Sequence, residues 1–144
     1  MPTVVTTKRS DADPATVWQA VKDIEAFPDY MDVVRSVRVD EWTGGRRVSS
    51  WSVLLKGSIL EWQEEELIDD DSWTIEFRQL EGDLAYFNGQ WTVTEEDGRT
   101  VVRLEVDFDI GIPLLAEMLN PVAVRALEDN SAEILEHLRL RAQS

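Results

Sequence analysis

The sequence predicts an α+β fold, a curved antiparallel sheet of about seven strands wrapped around one long C-terminal helix, with two short helices after strand 1. Three observations lead there. Pro113 to Arg141 (PLLAEMLNPVAVRALEDNSAEILEHLRLR) is the longest segment with helical spacing. Nearly everything upstream alternates apolar and polar residues at period two, between turn signals. A sheet of that size needs its apolar face covered, and only this helix is long enough to cover it.

Taken in order, Thr3 to Arg9 reads as a first strand. Asp13-Pro14 then starts a helix, with an acid at the N-cap and proline at the first helical position. Val17, Trp18, Val21 and Ile24 continue it at helical spacing until Pro28 breaks it, leaving Phe27, Tyr30 and Met31 in a turn or second short helix. Val33, Val37 and Val39 alternate with charges in a second strand ending near Trp42, and Thr43-Gly44-Gly45 turns the chain. Arg47 to Leu55 follows, with Trp51, Val53 and Leu55 on one side. Ile59 to Ile68 comes after a turn at Lys56-Gly57-Ser58, and Asp69 to Ser72 turns again into a strand carrying Trp73, Ile75 and Phe77. Glu81-Gly82-Asp83 leads into Leu84 to Thr94, and Glu96-Asp97-Gly98 is a hairpin signal. Val102 to Ile110 alternates cleanly before Gly111-Ile112-Pro113 opens the helix. There the stripe Leu115, Met118, Leu119, Val122 gives way past Pro121 to Ala123, Leu127, Ser131, Ile134, Leu138. Pro121 removes a backbone donor and either kinks the helix or begins a new one.

The bulk numbers bound the rest. The chain of 144 residues suits a single domain over 1–144, and 43% hydrophobic residues with six tryptophans fit a packed core. With no cysteine and one histidine, a zinc site is not expected, and neither is a metal or other cofactor. A net charge of −15, with no basic cluster, argues against nucleic acid, the ribosome and anionic membrane surfaces as partners. No apolar run approaches the length of a membrane span, so no stable membrane insertion is expected and the cytoplasm is the default location. The oligomeric state is not readable.

Three stretches carry a resemblance. DADPATVWQAVKDIEAFPDYM, LAYFNGQW at Leu84 to Trp91, and Arg99 to Ile110 followed by a proline and the last helix come in the order of the START-like or Bet v 1-like (SRPBCC) superfamily. The chain most resembles its polyketide cyclase/dehydrase branch, which includes the coenzyme-Q-binding type. That resemblance implies a helix-grip fold with a cavity between sheet and helix for a hydrophobic or aromatic small molecule, lipid-, quinone- or polyketide-like. It implies no single activity. The carrier reading stands beside an enzymatic one, a cyclase or dehydratase closing a ring on a poly-β-ketone chain.

The candidate residues follow from this. Glu61 to Asp71 (EWQEEELIDDD) holds seven acids and no base. Alternation puts Trp62, Glu64, Glu66 and Ile68 on one face and Glu61, Gln63, Glu65 and Leu67 on the other. If the Trp62 face looks inward, burial raises the pKa of Glu64 and Glu66 and suits them to acid–base work, with Tyr86 assisting. The alternative is an exposed or edge strand whose acids serve solubility. The cyclases resembled here place a key arginine on this strand shortly after its tryptophan, where this chain has Glu66. Arg78 alternates toward solvent. Tyr30, Trp51, Trp62, Trp73, Phe77, Trp91, Leu127, Asn130 and Ile134 are the expected cavity lining. Asn130 and Ser131 either orient a ligand or bond to sheet backbone. His137 reads as a solvated or capping group in the last helical turns. No Gly-x-Ser-x-Gly elbow or Gly-rich phosphate loop is present.

Overall fold

In the computed structural model, residues 3–55, 58–109 and 116–143 are described, those of 116–120 by backbone alone. β1 (Thr3–Ser10) leads into α1 (Pro14–Lys22), a 3₁₀ turn (Ile24–Ala26) and α2 (Phe27–Tyr30). Six strands follow: β2 (Val34–Thr43), β3 (Arg46–Leu55), β4 (Ser58–Asp69), β5 (Thr74–Gly82), β6 (Tyr86–Glu96) and β7 (Arg99–Asp109). The helix α3 (Ala116–Gln143) closes the chain. The strands form one antiparallel sheet in the order β1-β7-β6-β5-β4-β3-β2, so β2 to β7 is a meander and β1 returns beside β7.

The turns owe their shape to a few residues. Asp97 and Gly98 both take positive φ (52° and 78°), the two-residue hairpin in which the backbone twist matches that of the flanking strands. At Gly89 on β6 a side chain has no room, since a Cβ there would stand 2.5 Å from the Phe77 ring on β5. The gap lets Phe77 lie over the strand.

The helix stripe past Pro121 is the one that packs. Leu127, Ser131, Ile134 and Leu138 are buried, joined by Ala126 and Leu135, and Ala123 is half-buried. Each large apolar side chain so removed from water contributes about 1.5–3 kcal/mol. The core they close includes Phe27, Met31, Trp51, Ile75, Trp91 and Phe108.

Several expectations need correction. α3 continues through Pro121 instead of restarting there. Val122, assigned to the earlier stripe, is 67% exposed, and Leu115, Met118 and Leu119 fall outside the described side chains. Trp73 is not a strand residue. It closes the turn after β4 with φ of 55°, and its carbonyl accepts the amide of Val93 at 3.0 Å. Strand alternation carried through a left-handed turn residue was the error. Asp13 precedes α1 in extended conformation, but its carboxylate caps no helix amide.

Candidate functional site

The site grows out of the β3–β4 hairpin. Its register pairs Arg47 with Glu66, Ser49 with Glu64, Trp51 with Trp62 and Val53 with Leu60. Period-two alternation turns these pairs onto one inner face, where the lower rungs border α3 and Arg47 reaches the Lys22 carbonyl of α1. Trp62 therefore does face inward, and β4 is a central strand rather than an edge. A β-bulge against β5 falls between Gln63 and Glu64, a device that re-aims side chains locally.

The acidic run divides by face. Outward, Glu65 bridges Arg46 at 2.6 Å and Arg78 at 2.9 Å, and its pKa is lowered chiefly by the bond to Arg46. In the following turn, Asp69 accepts the amides of Ser72 and Asp71, and Asp70 binds Lys22 and the indole of Trp18, each at 2.8 Å. These partners hold both aspartates below the usual carboxylate range.

Inward, Glu64 and Glu66 are 4% and 1% exposed, and Arg47 is completely buried. Arg47 Nε donates a short bond to Glu66 Oε1, and Ser49 Oγ donates to Glu66 Oε2 at 2.8 Å. Both oxygens of Glu66 thus have fixed donors, one of them cationic. Arg47 also donates to the Lys22 carbonyl at 2.8 Å and lies 4.8 Å from the ring centre of Trp42, while Nη2 has no partner among the described residues. Glu64 is the opposite case. Burial raises its pKa well above the usual value, and its hydrogen bond to Glu66 and that residue's charge raise it further. The bond from Trp62 Nε1 at 2.7 Å and the more distant Arg47 offset this only in part. The row thus sets Glu66, paired with the Arg47 guanidinium, beside a second buried carboxyl, Glu64, that holds its proton more tightly than usual. Of the two glutamates the sequence offered, Glu66 is held in an ion pair and Glu64 lines the cavity.

That cavity lies between β3–β7 and α3. Trp51, Trp62, Glu64, Phe77, Phe87 and Trp91 line its sheet side, and Leu127, Asn130, Ser131 and Ile134 its helix side. Trp51 and Trp62 stack at 5.6 Å with planes 5° apart, and Phe87 tilts onto Trp62 at 4.9 Å. The open volume is about 60 Å³, room for roughly four to six waters or one small ring at 10–15 Å³ per water. The tryptophans therefore narrow the cavity without filling it.

Of the predicted lining, Trp51, Trp62, Phe77, Trp91, Leu127, Asn130 and Ile134 border this space. Trp73 and Tyr30 do not. Tyr30 packs edge-on to Phe27 and under the Arg141 guanidinium at 5.0 Å, and burial pushes its phenol up to about 12. Tyr86 is also misplaced. It opens on the outer face of the sheet, where its hydroxyl accepts from Asn88 at 2.9 Å, because Phe87 takes the inward position on β6. Asn130 donates to the Leu54 carbonyl at 2.8 Å, the backbone-bonding alternative. His137 is half-buried, and its Nδ1 is buried without a partner among the described residues, so it is not the solvated cap expected. Arg47 went unnoticed in the sequence. One signal pointed to it: it shares the parity of Trp51 on the same strand. Among the described residues no cluster of three His, Cys, Asp or Glu is arranged to hold a metal, and no helix is long and apolar enough to cross a membrane.

A seven-stranded sheet curled around a C-terminal helix, with an apolar cavity between them, defines the START-like or Bet v 1-like class. Within it the chain belongs to the polyketide cyclase / dehydrase and lipid transport family, whose sequence model matches residues 10–134. Similar solved structures include TTHA0849 from Thermus thermophilus, 28% identical over 99% of this chain and 97% of that one, TM-score 0.92. Others are the Zhui aromatase/cyclase from Streptomyces sp. R1128 (19% identical, 99% and 93% covered, TM-score 0.86) and a START superfamily protein from Mycobacterium smegmatis (14%, 98% and 97%, 0.81). At under 25% identity these last two speak to the fold alone. A comparison with curated proteins finds no match.

Two outcomes follow from the buried row. Glu66→Gln leaves Arg47 buried without its counter-charge and is expected to cost about 3–5 kcal/mol in denaturant unfolding, whereas replacing both partners by methionine recovers a large part of that loss. The pH dependence has a definite sign. The native pKa of Glu64 lies above its ordinary value of 4.5, so its protonation stabilises the fold fully below that pH. The contribution is lost as pH rises toward the native pKa. Glu64→Gln keeps both hydrogen bonds with no proton to lose, and its stability between about pH 5 and about pH 8 should vary less than that of the parent.

Proposed function

We propose that the protein binds a hydrophobic or aromatic small molecule, of lipid, quinone or polyketide-like character, in the cavity between sheet and α3, in the cytoplasm. The observation that carries this reading is the cavity wall: aromatic and aliphatic side chains from five strands and the helix around one carboxyl, Glu64. Membership in a family described by cyclases, dehydrases and lipid transport supports it. The volume favours a ligand, or a ligand end, about one ring wide, and anything larger displaces lining side chains.

One observation favours a second, enzymatic reading, a cyclase or dehydratase acting on a poly-β-ketone chain. Glu64 holds its proton more tightly than an ordinary carboxyl and lies on the cavity wall, so a carbonyl oxygen at Glu64 could be protonated as carbon–carbon bond formation places charge on it. Here Glu64 is the proton donor and regains its proton from the carbon acid that supplies the enolate, while Arg47 positions Glu66 beside it.

Both readings require occupancy of the cavity. Titration with phenol, followed by amide and indole NMR signals, should shift Trp51, Trp62 and Trp91 together. Ile134→Trp, which fills the space, should weaken binding at least about tenfold while leaving the fold intact. Shifts confined to the outer face around Tyr86 and Arg78 would refute the assignment. Glu64→Gln separates the two readings, abolishing turnover of a cyclisable polyketone in an enzyme with cavity occupancy retained.

A further inference from the structure

The cavity's hydrogen-bonding groups suit an uncharged ligand much better than an anion of the same shape. Among the described lining residues none is Lys, Arg or His, and Glu64 is the one titratable group. The nearest buried cation, Arg47, does not line the cavity. Arg47 gives Nε to Glu66 and another N–H to the Lys22 carbonyl, and its ring contact is with Trp42, beside a different concavity. The indole N–H groups of the stacked pair, which could otherwise bind an anion, are also committed: Trp51 Nε1 to Ser49 Oγ at 2.8 Å and Trp62 Nε1 to Glu64 at 2.7 Å. Asn130 donates away from the cavity to Leu54.

An anion entering this space leaves water for a wall that carries no cation, and it meets the Glu66 charge one side chain behind Glu64. A neutral ketone or hydroxyl has neither difficulty. It brings no charge to set against Glu66, a hydroxyl can donate to a Glu64 oxygen, and the row keeps its charge balance. We propose that the cavity selects neutral ketone- or hydroxyl-bearing apolar ligands and rejects carboxylates of equal size, with the Arg47–Glu66–Glu64 row setting the choice. This rests on the cavity being the ligand site, as proposed above, and it narrows the chemical class: free acids are excluded, and ketones, quinones, phenols and alcohols remain.

Acetophenone and benzoate make the test, since they match in ring and size and differ in the charge of one substituent. With both titrated at neutral pH and read by the Trp51 and Trp62 indole signals, acetophenone should bind at least about tenfold more tightly. Glu66→Gln removes the charge behind Glu64 and uncovers Arg47, and in that variant the preference should shrink to within about threefold or reverse. The comparison in the parent protein stands even if the variant does not fold. Benzoate binding as tightly as acetophenone, on the same indole signals, overturns the selectivity while leaving the cavity reading intact. Binding of neither, or shifts away from those indoles, overturns the cavity reading and the selectivity with it.

Discussion

The ion pair between Arg47 and Glu66 is the constraint on which the inner face depends. Two charges on one rung, both buried, hold together only because each compensates the other and Ser49 fills the remaining oxygen of Glu66. With Glu66 paired to Arg47, the neighbouring carboxyl of Glu64 holds its proton more tightly than usual, since two carboxylates side by side out of water repel strongly. That proton in turn makes Glu64 an uncharged acceptor for the Trp62 indole, while Ser49 accepts from Trp51. The orientation of the stacked tryptophans, and so the shape of the cavity wall, follows from where one positive charge sits on β3.

The outer face obeys simpler rules. Its acids meet arginines from neighbouring strands, as Glu65 does with Arg46 and Arg78, and remain in contact with water. Such pairs contribute little stability individually. Their main effect is on the charge seen by partners, and the excess of acids over bases keeps the surface anionic. One strand, β4, therefore carries both kinds of acid: a solvated one at Glu65 and a buried pair on either side of it.

Much of the architecture was legible because its signals are local. Alternation gave the strands, Gly44, Asp97-Gly98 and the aspartate cluster gave the turns, and helical spacing gave the packed stripe of α3. The inward set at Trp51, Trp62, Phe77 and Trp91 followed from strand parity once β4 was read as facing the helix. What failed was non-local or depended on a single dihedral. Trp73 left the strand through one positive φ, and Tyr86 faced outward because its strand begins at that residue, with Phe87 inward. The division of labour between Glu64 and Glu66 could not be read from β4 alone, since a residue on β3 decides it. The family resemblance implied an arginine on β4 where Glu66 stands; the guanidinium of this chain is supplied instead by the facing rung, behind the glutamates rather than on the cavity wall.

The protonation of Glu64 at neutral pH is the central claim, and side-chain carboxyl NMR of glutamate-labelled protein, assigned with Glu64→Gln, tests it most directly. The account predicts that the Glu64 carboxyl carbon keeps the shift of a neutral acid at pH 7 and titrates only well above the ordinary value of 4.5. A Glu64 signal that moves to the ionised position near 4.5 would contradict it, and would mean that the buried row carries a second negative charge.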